Sequence, residues 1–267
     1  MLSQANTAQD INILAEYLSD QEVQDLASSP SVDCLVICAS AILYQAEHLF
    51  QVLQERPSLS KCLVLCGGFG HSTTFMYDAV AQHPRFSRIA KDVYGLPEAR
   101  ILEKILDTFF DRSTITEGGC KILVEDQSTN CGLNASLSRK VLDEAGFQAL
   151  KTCIIIQDPT MMLRTKASFQ KAYGDMLPPP SFISYPAFVP HLHKSEDGKL
   201  EYQDSLLGVA LWPQERFLEL ILGEIPRLRD DENGYGPRGK GFIPHVEVPV
   251  QVEEAWSRLR MVSNTSR

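Results

Sequence analysis

The sequence contains no run of about 18 apolar residues, the length that a membrane-spanning helix requires. Its first residues carry acids early and no basic stretch before an apolar one, so they do not resemble a secretory signal. Basic residues are outnumbered, with 25 Lys and Arg against 34 Asp and Glu. Nucleic-acid-binding proteins usually present a basic patch, and anionic membranes attract basic surfaces. We therefore expect a cytoplasmic protein that binds neither nucleic acid nor membrane.

Cysteine motifs typical of a zinc site are also missing, although the chain has seven cysteines. An odd number without a secretory signal favours reduced thiols over disulfides. The pairs Cys34/Cys38 and Cys62/Cys66 lie inside or at the ends of apolar runs, where cysteine behaves as a small buried hydrophobe. We expect buried thiols and no metal site.

Short apolar runs alternate with segments of helical periodicity between residues 33 and 186. A continuous apolar run is typical of a strand that is buried on both faces, and strand–helix alternation demands crossover connections. We therefore predict an α/β fold: a Rossmann-like, mostly parallel five-stranded sheet with helices on both faces. The predicted strands are residues 33–39, 61–68, 120–126, 151–158 and 181–186.

Composition divides the chain into three parts. Residues 1–30 have helical spacing, residues 31–187 form the Rossmann-like core, and residues 188–267 are rich in proline, glycine and charge. Helices are predicted in the last part at 213–222 and near 250–259. The glycine- and charge-rich run 227–239 is best explained as a solvated loop. The alternative is a lid over the site, in which Arg227, Arg229, Tyr235 and Arg238 would contact the ligand.

A glycine-rich turn follows the second predicted strand and leads directly into a helix. Glycine allows a backbone to approach a ligand closely, and a helix N-terminus favours a carboxylate or phosphate. The simpler alternative is a plain turn with a capping hydroxyl. The turn has neither the Lys-Ser/Thr of a Walker loop nor a full G-x-G-x-x-G pattern. The ligand-binding residues that we predict here are Gly67, Gly68, Gly70, His71, Ser72 and Thr73.

Acidic and polar residues follow the third and fourth predicted strands. In open parallel sheets ligands bind outside the carboxyl ends of the strands, so Glu125, Asp126 and Asp158 are candidate catalytic residues. Arg164 can grip a carboxylate or phosphate, or else form a salt bridge with Asp158 or Glu125. Glu98 is a further candidate, although the helix dipole alone favours an acid at a helix start. The other predicted ligand contacts are Ser128, Asn130 and Asn134.

Three of these motifs resemble the successive signatures of the YdcF-like family, a family of unknown function that also includes SanA-like and ElyC-like proteins. They are Cys-Gly-Gly at 66–68, Glu-Ala at 98–99 and Glu-Asp-Gln-Ser-Thr-Asn-Cys-Gly-Leu-Asn-Ala at 125–135. The resemblance implies a Rossmann-like sheet and S-adenosyl-L-methionine as the cofactor. The positions that match the family pattern are Gly67, Gly68, Glu98, Glu125, Ser128, Asn130 and Asn134.

The chain departs from the family pattern at two places. Many relatives have Gly-Gly after the first strand, where this chain has residues 38–40, Cys-Ala-Ser. Many have a His where this chain has Met161, three residues before Arg164. If that His is catalytic, this chain binds the ligand without the same turnover. SanA-like and ElyC-like members resemble membrane-tethered proteins, and the expected absence of an anchor here excludes carrying over an envelope role.

The leading interpretation is a small-ligand-binding protein that takes S-adenosyl-L-methionine at the carboxyl ends of the strands and acts as a methyl or alkyl transferase. One alternative is a Mg²⁺-dependent hydrolase or transferase of a phosphorylated small molecule, in which carboxylates hold the metal. Another is a non-catalytic metabolite sensor. Whether turnover occurs, the acceptor substrate and the oligomeric state stay open.

Overall fold

The computed structural model describes residues 4–203, 208 and 210–265, and its centre is one parallel sheet. The five strands of this sheet are β1 (Val32–Cys38), β2 (Ser60–Cys66), β3 (Lys121–Glu125), β4 (Thr152–Ile156) and β5 (Ser181–Tyr185). They lie in the order β3-β2-β1-β4-β5, and every neighbouring pair is parallel. Helices flank the sheet, so the predicted Rossmann-like α/β fold is confirmed.

Ten α-helices and a hairpin complete the described chain. None of these helices is both long enough and apolar enough to cross a membrane. The helices are α1 (Gln4–Ser19), α2 (Tyr44–Glu55), α3 (Thr73–Gln82), α4 (Ala90–Val93), α5 (Glu98–Phe109), α6 (Arg112–Glu117), α7 (Cys131–Glu144), α8 (Met162–Ala172), α9 (Gln214–Leu228) and α10 (Val250–Thr265). The hairpin joins β6 (Leu192–Lys194) to β7 (Leu200–Tyr202).

Alternate residues of each strand point to opposite faces, so the sheet is the middle of three layers. On one face Leu35, Ile37 and Leu63 pack against apolar residues of α2 and α5. On the other face a group of sheet cysteines packs against α7 and α8. All seven cysteines are free and buried, as expected from their apolar surroundings. The cysteines of the second face are Cys34, Cys38, Cys62, Cys66 and Cys153.

The N-terminal and C-terminal parts share one core, although the sequence separates them. Leu14 of α1 belongs to the same buried cluster as Ile225 of α9 and Leu259 of α10, and Ala167 of α8 joins it. Arg258 of α10 also forms a 2.8 Å ion pair with the buried Asp10 of α1. These helices therefore form an additional layer against α8, next to the carboxyl end of β4.

Candidate functional site

The carboxyl ends of β3, β2, β1 and β4 meet along one edge of the sheet. The Gly67 N–H donates to the Glu125 carbonyl and the Gly68 N–H donates to the Ser128 carbonyl, both at 2.9 Å. On the other side Ser40 Oγ, just after β1, donates to Asp158 Oδ2 at 3.3 Å. The order of the strands along the chain reverses between β1 and β4, and this switch point is where open α/β sheets bind ligands.

The turn after β2 requires glycine for two separate reasons. Gly67 has φ +147°, a backbone conformation that other residues rarely adopt. At Gly68 a Cβ atom would lie 2.4 Å from the Ser128 carbonyl oxygen, so the approach of the two loops excludes any side chain. The Gly68 carbonyl in turn accepts the Glu98 N–H at 3.0 Å. The turn therefore ties β2 to the loop after β3 and to the start of α5.

Glu98 stabilises this turn through hydrogen bonds with hydroxyl groups at the start of α3. Its Oε1 accepts hydrogen bonds from Ser72 Oγ at 3.0 Å and from Thr73 Oγ1 at 2.8 Å. Thr73 Oγ1 also accepts the Gly70 N–H at 2.8 Å. Burial raises the pKa of the Glu98 carboxyl, against the opposing effect of the two hydroxyls. The polar atoms of Glu98, Ser72 and Thr73 thus bond to one another, and His71 stays exposed beside them.

Glu125, a predicted catalytic acid, uses its carboxylate to fold its own loop. Its Oε1 accepts the N–H groups of Gln127 and Ser128, at 2.8 and 2.9 Å. Its Oε2 accepts Ser128 Oγ at 2.5 Å and Cys66 Sγ at 3.2 Å. Each oxygen therefore has two donors from the protein, and the side chain is only 2% exposed. This geometry gives Glu125 a positioning role rather than the role of a base.

Asp126, the second predicted catalytic acid, is held by neighbouring side chains at the flank of the site. Gln127 Nε2 donates to its Oδ1 at 2.5 Å and Arg100 Nε donates to its Oδ2 at 2.6 Å. The hydrogen bond from Gln127 and the nearby Arg100 guanidinium keep the pKa of Asp126 below its usual range. Asp126 is therefore an ionised partner of Arg100, and it makes a poor proton acceptor.

Asn130 caps α7, because its Oδ1 accepts the Leu133 N–H at 3.0 Å. This N-cap accounts for the side-chain oxygen of Asn130. Asn134 lies one turn further, with its N–H bonded to the Asn130 carbonyl at 2.8 Å and its side chain half-buried. Asn130 and Asn134 thus stand at the same edge as the glycine turn.

Asp158, the third predicted catalytic acid, is buried at the switch point. Its Oδ1 accepts the N–H and the hydroxyl of Thr160, at 2.9 and 2.6 Å. Among the described residues, only Ser40 donates a hydrogen bond to its Oδ2, at 3.3 Å. Burial raises the pKa of Asp158, and no cationic side chain of the described chain forms an ion pair with it. The Oδ2 atom consequently keeps capacity for another donor.

Arg164 pairs with a residue that the sequence did not suggest. Its guanidinium donates to both oxygens of Glu224 in α9, with Nε–Oε2 at 2.5 Å and Nη2–Oε1 at 3.0 Å. Arg227 adds a 2.9 Å hydrogen bond to the same carboxylate. The salt bridge with Asp158 or Glu125 considered above is therefore wrong. Glu224 takes the Nε donor and one Nη2 donor of the guanidinium, and the contact of Arg164 with a ligand stays a prediction.

The run 227–239 is held by charges within the C-terminal part. Arg229 forms a bidentate pair with Glu253, at 2.8 and 2.6 Å. The Arg238 N–H donates to Asp230 Oδ1 at 2.7 Å, and its side chain lies 3.3 Å from the same carboxylate. The arginines of this run thus have acidic partners inside the protein, as a self-contained loop requires.

Sequence reasoning missed Gln45, which lies in the first turn of α2 at the end of β1. Its Nε2 donates to the carbonyls of Gln157 and Pro186, at 2.5 and 3.0 Å. Because both partners are carbonyl oxygens, the amide orientation is unambiguous and Oε1 points away from them. This oxygen is buried and has no donor within the described chain, an arrangement that costs about 1–3 kcal/mol. The available signal was a polar residue on the buried face of α2, next to Ala46.

The donor groups of the edge are mostly hydroxyls, amides and backbone N–H groups around buried acids. Within residues 4–203, 208 and 210–265, no group of three or more His, Cys, Asp and Glu side chains is arranged to hold a metal ion. The arrangement can accept hydrogen bonds at Asp158 and Gln45, and it can place a polar ligand against the glycine turn. No family model matches the chain.

Proposed function

We propose that the carboxyl edge of the sheet binds S-adenosyl-L-methionine, from the switch point between β1 and β4 to the glycine turn. One observation carries this proposal: the two parts of the edge are contiguous. A Cβ atom at Gly67 would lie 3.0 Å from Ala39 Cβ, and Ser40, the next residue, hydrogen-bonds to Asp158. A single elongated ligand can therefore touch both the switch point and the turn.

The chemistry of the ligand suits the residues along this path. S-adenosyl-L-methionine carries a sulfonium cation, a carboxylate and a ribose diol. Asp158 Oδ2, with its single long hydrogen bond, is the acceptor that would face the cation or the diol. The exposed turn residues Gly70 and His71, at the start of α3, would receive the carboxylate, which helix N-termini favour.

We also propose that the chain belongs to the YdcF-like family. The motifs at 66–68, 98–99 and 125–135 support this assignment, because they form one hydrogen-bonded unit around the Gly67–Gly68 turn. The seven free thiols support a cytoplasmic location, and the acidic composition supports a small-molecule ligand over nucleic acid.

Thermal unfolding with a ligand panel tests the proposal. S-adenosyl-L-methionine and S-adenosyl-L-homocysteine should raise the melting temperature, since a ligand that binds only the folded state stabilises it. GTP and inorganic phosphate, each with and without Mg²⁺, should not. Stabilisation by phosphate compounds with Mg²⁺, and none by the adenosyl compounds, would overturn the proposal in favour of a phosphoryl-processing enzyme.

The variant Gly70→Ala tests where the ligand binds. A Cβ atom at Gly70 would lie no closer than 3.8 Å to its neighbours, so the unliganded fold should tolerate it. A ligand in contact with the turn should bind about tenfold more weakly, since a methyl group in a closely packed contact costs about 1–3 kcal/mol. Gly174→Ala, at the end of α8, is the matched control, and titration calorimetry should give it wild-type affinity. Equal affinity of Gly70→Ala and wild type would place the ligand elsewhere.

A further inference from the structure

The unpartnered oxygen of Gln45 lies beside the proposed adenosyl site. Gln45 is 2% exposed, and its Nε2 bridges the carbonyls that follow β4 and β5, those of Gln157 and Pro186. The Gln45 backbone N–H also bonds to the carbonyl of Ile42, two residues after Ser40. The side chain is thus fixed at the switch point, with a buried acceptor that has no donor within the described residues.

The donor groups of Ser40, Ile42 and Tyr202 already have other partners. Ser40 Oγ donates to Asp158, and the Ile42 N–H donates to Ser40 Oγ at 3.1 Å. The Tyr202 hydroxyl, on the hairpin that covers Ile42, donates to the Trp212 carbonyl at 3.1 Å. Gln45 Oε1 is therefore left without a donor from these groups.

An aromatic cluster lies near Gln45, because Phe188 comes two residues after Pro186, whose carbonyl accepts a hydrogen bond from Gln45. Ile42 and Phe188 form a small buried cluster, and Trp212 packs against it. The Phe188 ring lies 6.2 Å from the Tyr44 ring and 6.2 Å from the Trp212 ring, centroid to centroid. Tyr44, the neighbour of Gln45, is 36% exposed. An apolar, aromatic wall beside one hydrogen-bond acceptor suits a heteroaromatic ring that carries an amino group.

We propose that Gln45 Oε1 accepts a hydrogen bond from the exocyclic amino group of a 6-aminopurine ring, and that Gln45 thereby selects adenine over 6-oxopurines. This inference rests on the proposed function, because the ring is that of the adenosyl ligand. A 6-oxopurine would place a carbonyl oxygen against Gln45 Oε1, so that two acceptors would face each other without a proton between them.

Titration calorimetry on the wild-type chain tests the inference with two matched pairs of ligands. The pairs are S-adenosyl-L-homocysteine against S-inosyl-L-homocysteine, and adenosine against inosine. We expect the amino member of each pair to bind about 10- to 100-fold more tightly, as the loss of a buried hydrogen bond with an unpaired partner implies.

The outcomes separate this inference from the proposed function. Equal affinities within the pairs would overturn the role of Gln45 and leave adenosyl binding in place. A preference for adenosine over inosine, without binding of S-adenosyl-L-homocysteine, would support Gln45 and contradict the proposed function. Absence of binding by all four compounds would overturn both the role of Gln45 and the proposed function.

Variants of Gln45 give a second test. Gln45→Met removes the acceptor and should bring the ratio of the two affinities close to one, with some loss of stability because two carbonyls lose their donor. Gln45→Lys keeps a donor for these carbonyls and should also abolish the preference. Gln51→Met, on the exposed side of α2, is the matched control and should keep the wild-type ratio. A wild-type ratio in either folded Gln45 variant would overturn the assignment.

Discussion

The two halves of the carboxyl edge differ in how completely their polar groups are bonded. On the β2–β3 side, both oxygens of Glu125 have two protein donors, and Glu98 Oε1 accepts two hydroxyls. On the β1–β4 side, Asp158 Oδ2 has one hydrogen bond of 3.3 Å and Gln45 Oε1 has none within the described chain. On the β2–β3 side protein donors bond to these acceptors, whereas on the β1–β4 side the acceptors keep capacity for further hydrogen bonds.

The residues that stand out in the sequence are not the residues with unused hydrogen-bonding capacity. The acids that attract notice in the sequence, Glu125 and Asp126, are occupied by their own loop and by Arg100. A residue without any motif, Gln45, has the free acceptor. Residues that hold the loops of this edge together and residues with unused acceptor capacity are therefore different sets here.

The substitution Glu224→Ala, on the β1–β4 side, should have the largest effect on the free energy of unfolding. Glu224→Ala leaves the guanidinium of Arg164 buried without its carboxylate, so the free energy of unfolding should fall by about 3–5 kcal/mol. Urea denaturation measures this change. Glu144→Ala removes an exposed partner of Lys140 and should cost less than about 0.5 kcal/mol. Similar losses for the two variants would show that the buried pair does not anchor α9.

The substitution Gly68→Ala should disrupt the contact between the turn after β2 and the loop after β3. The new Cβ atom would lie 2.4 Å from the Ser128 carbonyl, so backbone must move and stability should fall by about 1–3 kcal/mol, or more. Gly70→Ala, in the same turn, has room for its Cβ atom, and its free energy of unfolding should lie within about 0.5 kcal/mol of the wild-type value. Thermal unfolding of both variants without ligand measures the contrast. Equal stability of Gly68→Ala and Gly70→Ala would show that the contact with the loop after β3 does not exclude a side chain at Gly68.

The smallest expected effect is the pH dependence of stability, which should have opposite signs for two acids of the β2–β3 side. Burial raises the folded-state pKa of Glu98 above its usual 4.5, so its contribution to the free energy of unfolding should fall as pH rises through the raised pKa. Hydrogen bonding lowers the pKa of Asp126 below its usual 3.8, so its contribution should be present above 3.8 and be lost as pH falls through the lowered value.

Denaturation of Glu98→Gln and Asp126→Asn across the acid range isolates the two contributions. The wild type should lose stability relative to Glu98→Gln with rising pH, and it should gain stability relative to Asp126→Asn with rising pH. The same sign for both differences would contradict the burial of Glu98.

Local patterns predicted the sheet and the glycine turn because their causes are local. Continuous apolar runs mark buried strands, and glycine marks close backbone approach. The partner of Arg164 lies 60 residues away, in a helix whose packing no local pattern specifies. The position of the Gln45 side chain depends on the carbonyls that follow β4 and β5. The short hairpin β6–β7 has too few residues for a clear alternation. These features arise only when the chain is folded.

The most direct test of the account is a crystal structure of the chain with S-adenosyl-L-homocysteine. Ligand density is expected across the carboxyl ends of β1 and β4 as far as the Gly67–Gly70 turn, with the adenine amino group within about 3.2 Å of Gln45 Oε1. Density for the ligand at any other surface, with Gln45 and Asp158 untouched, would contradict it.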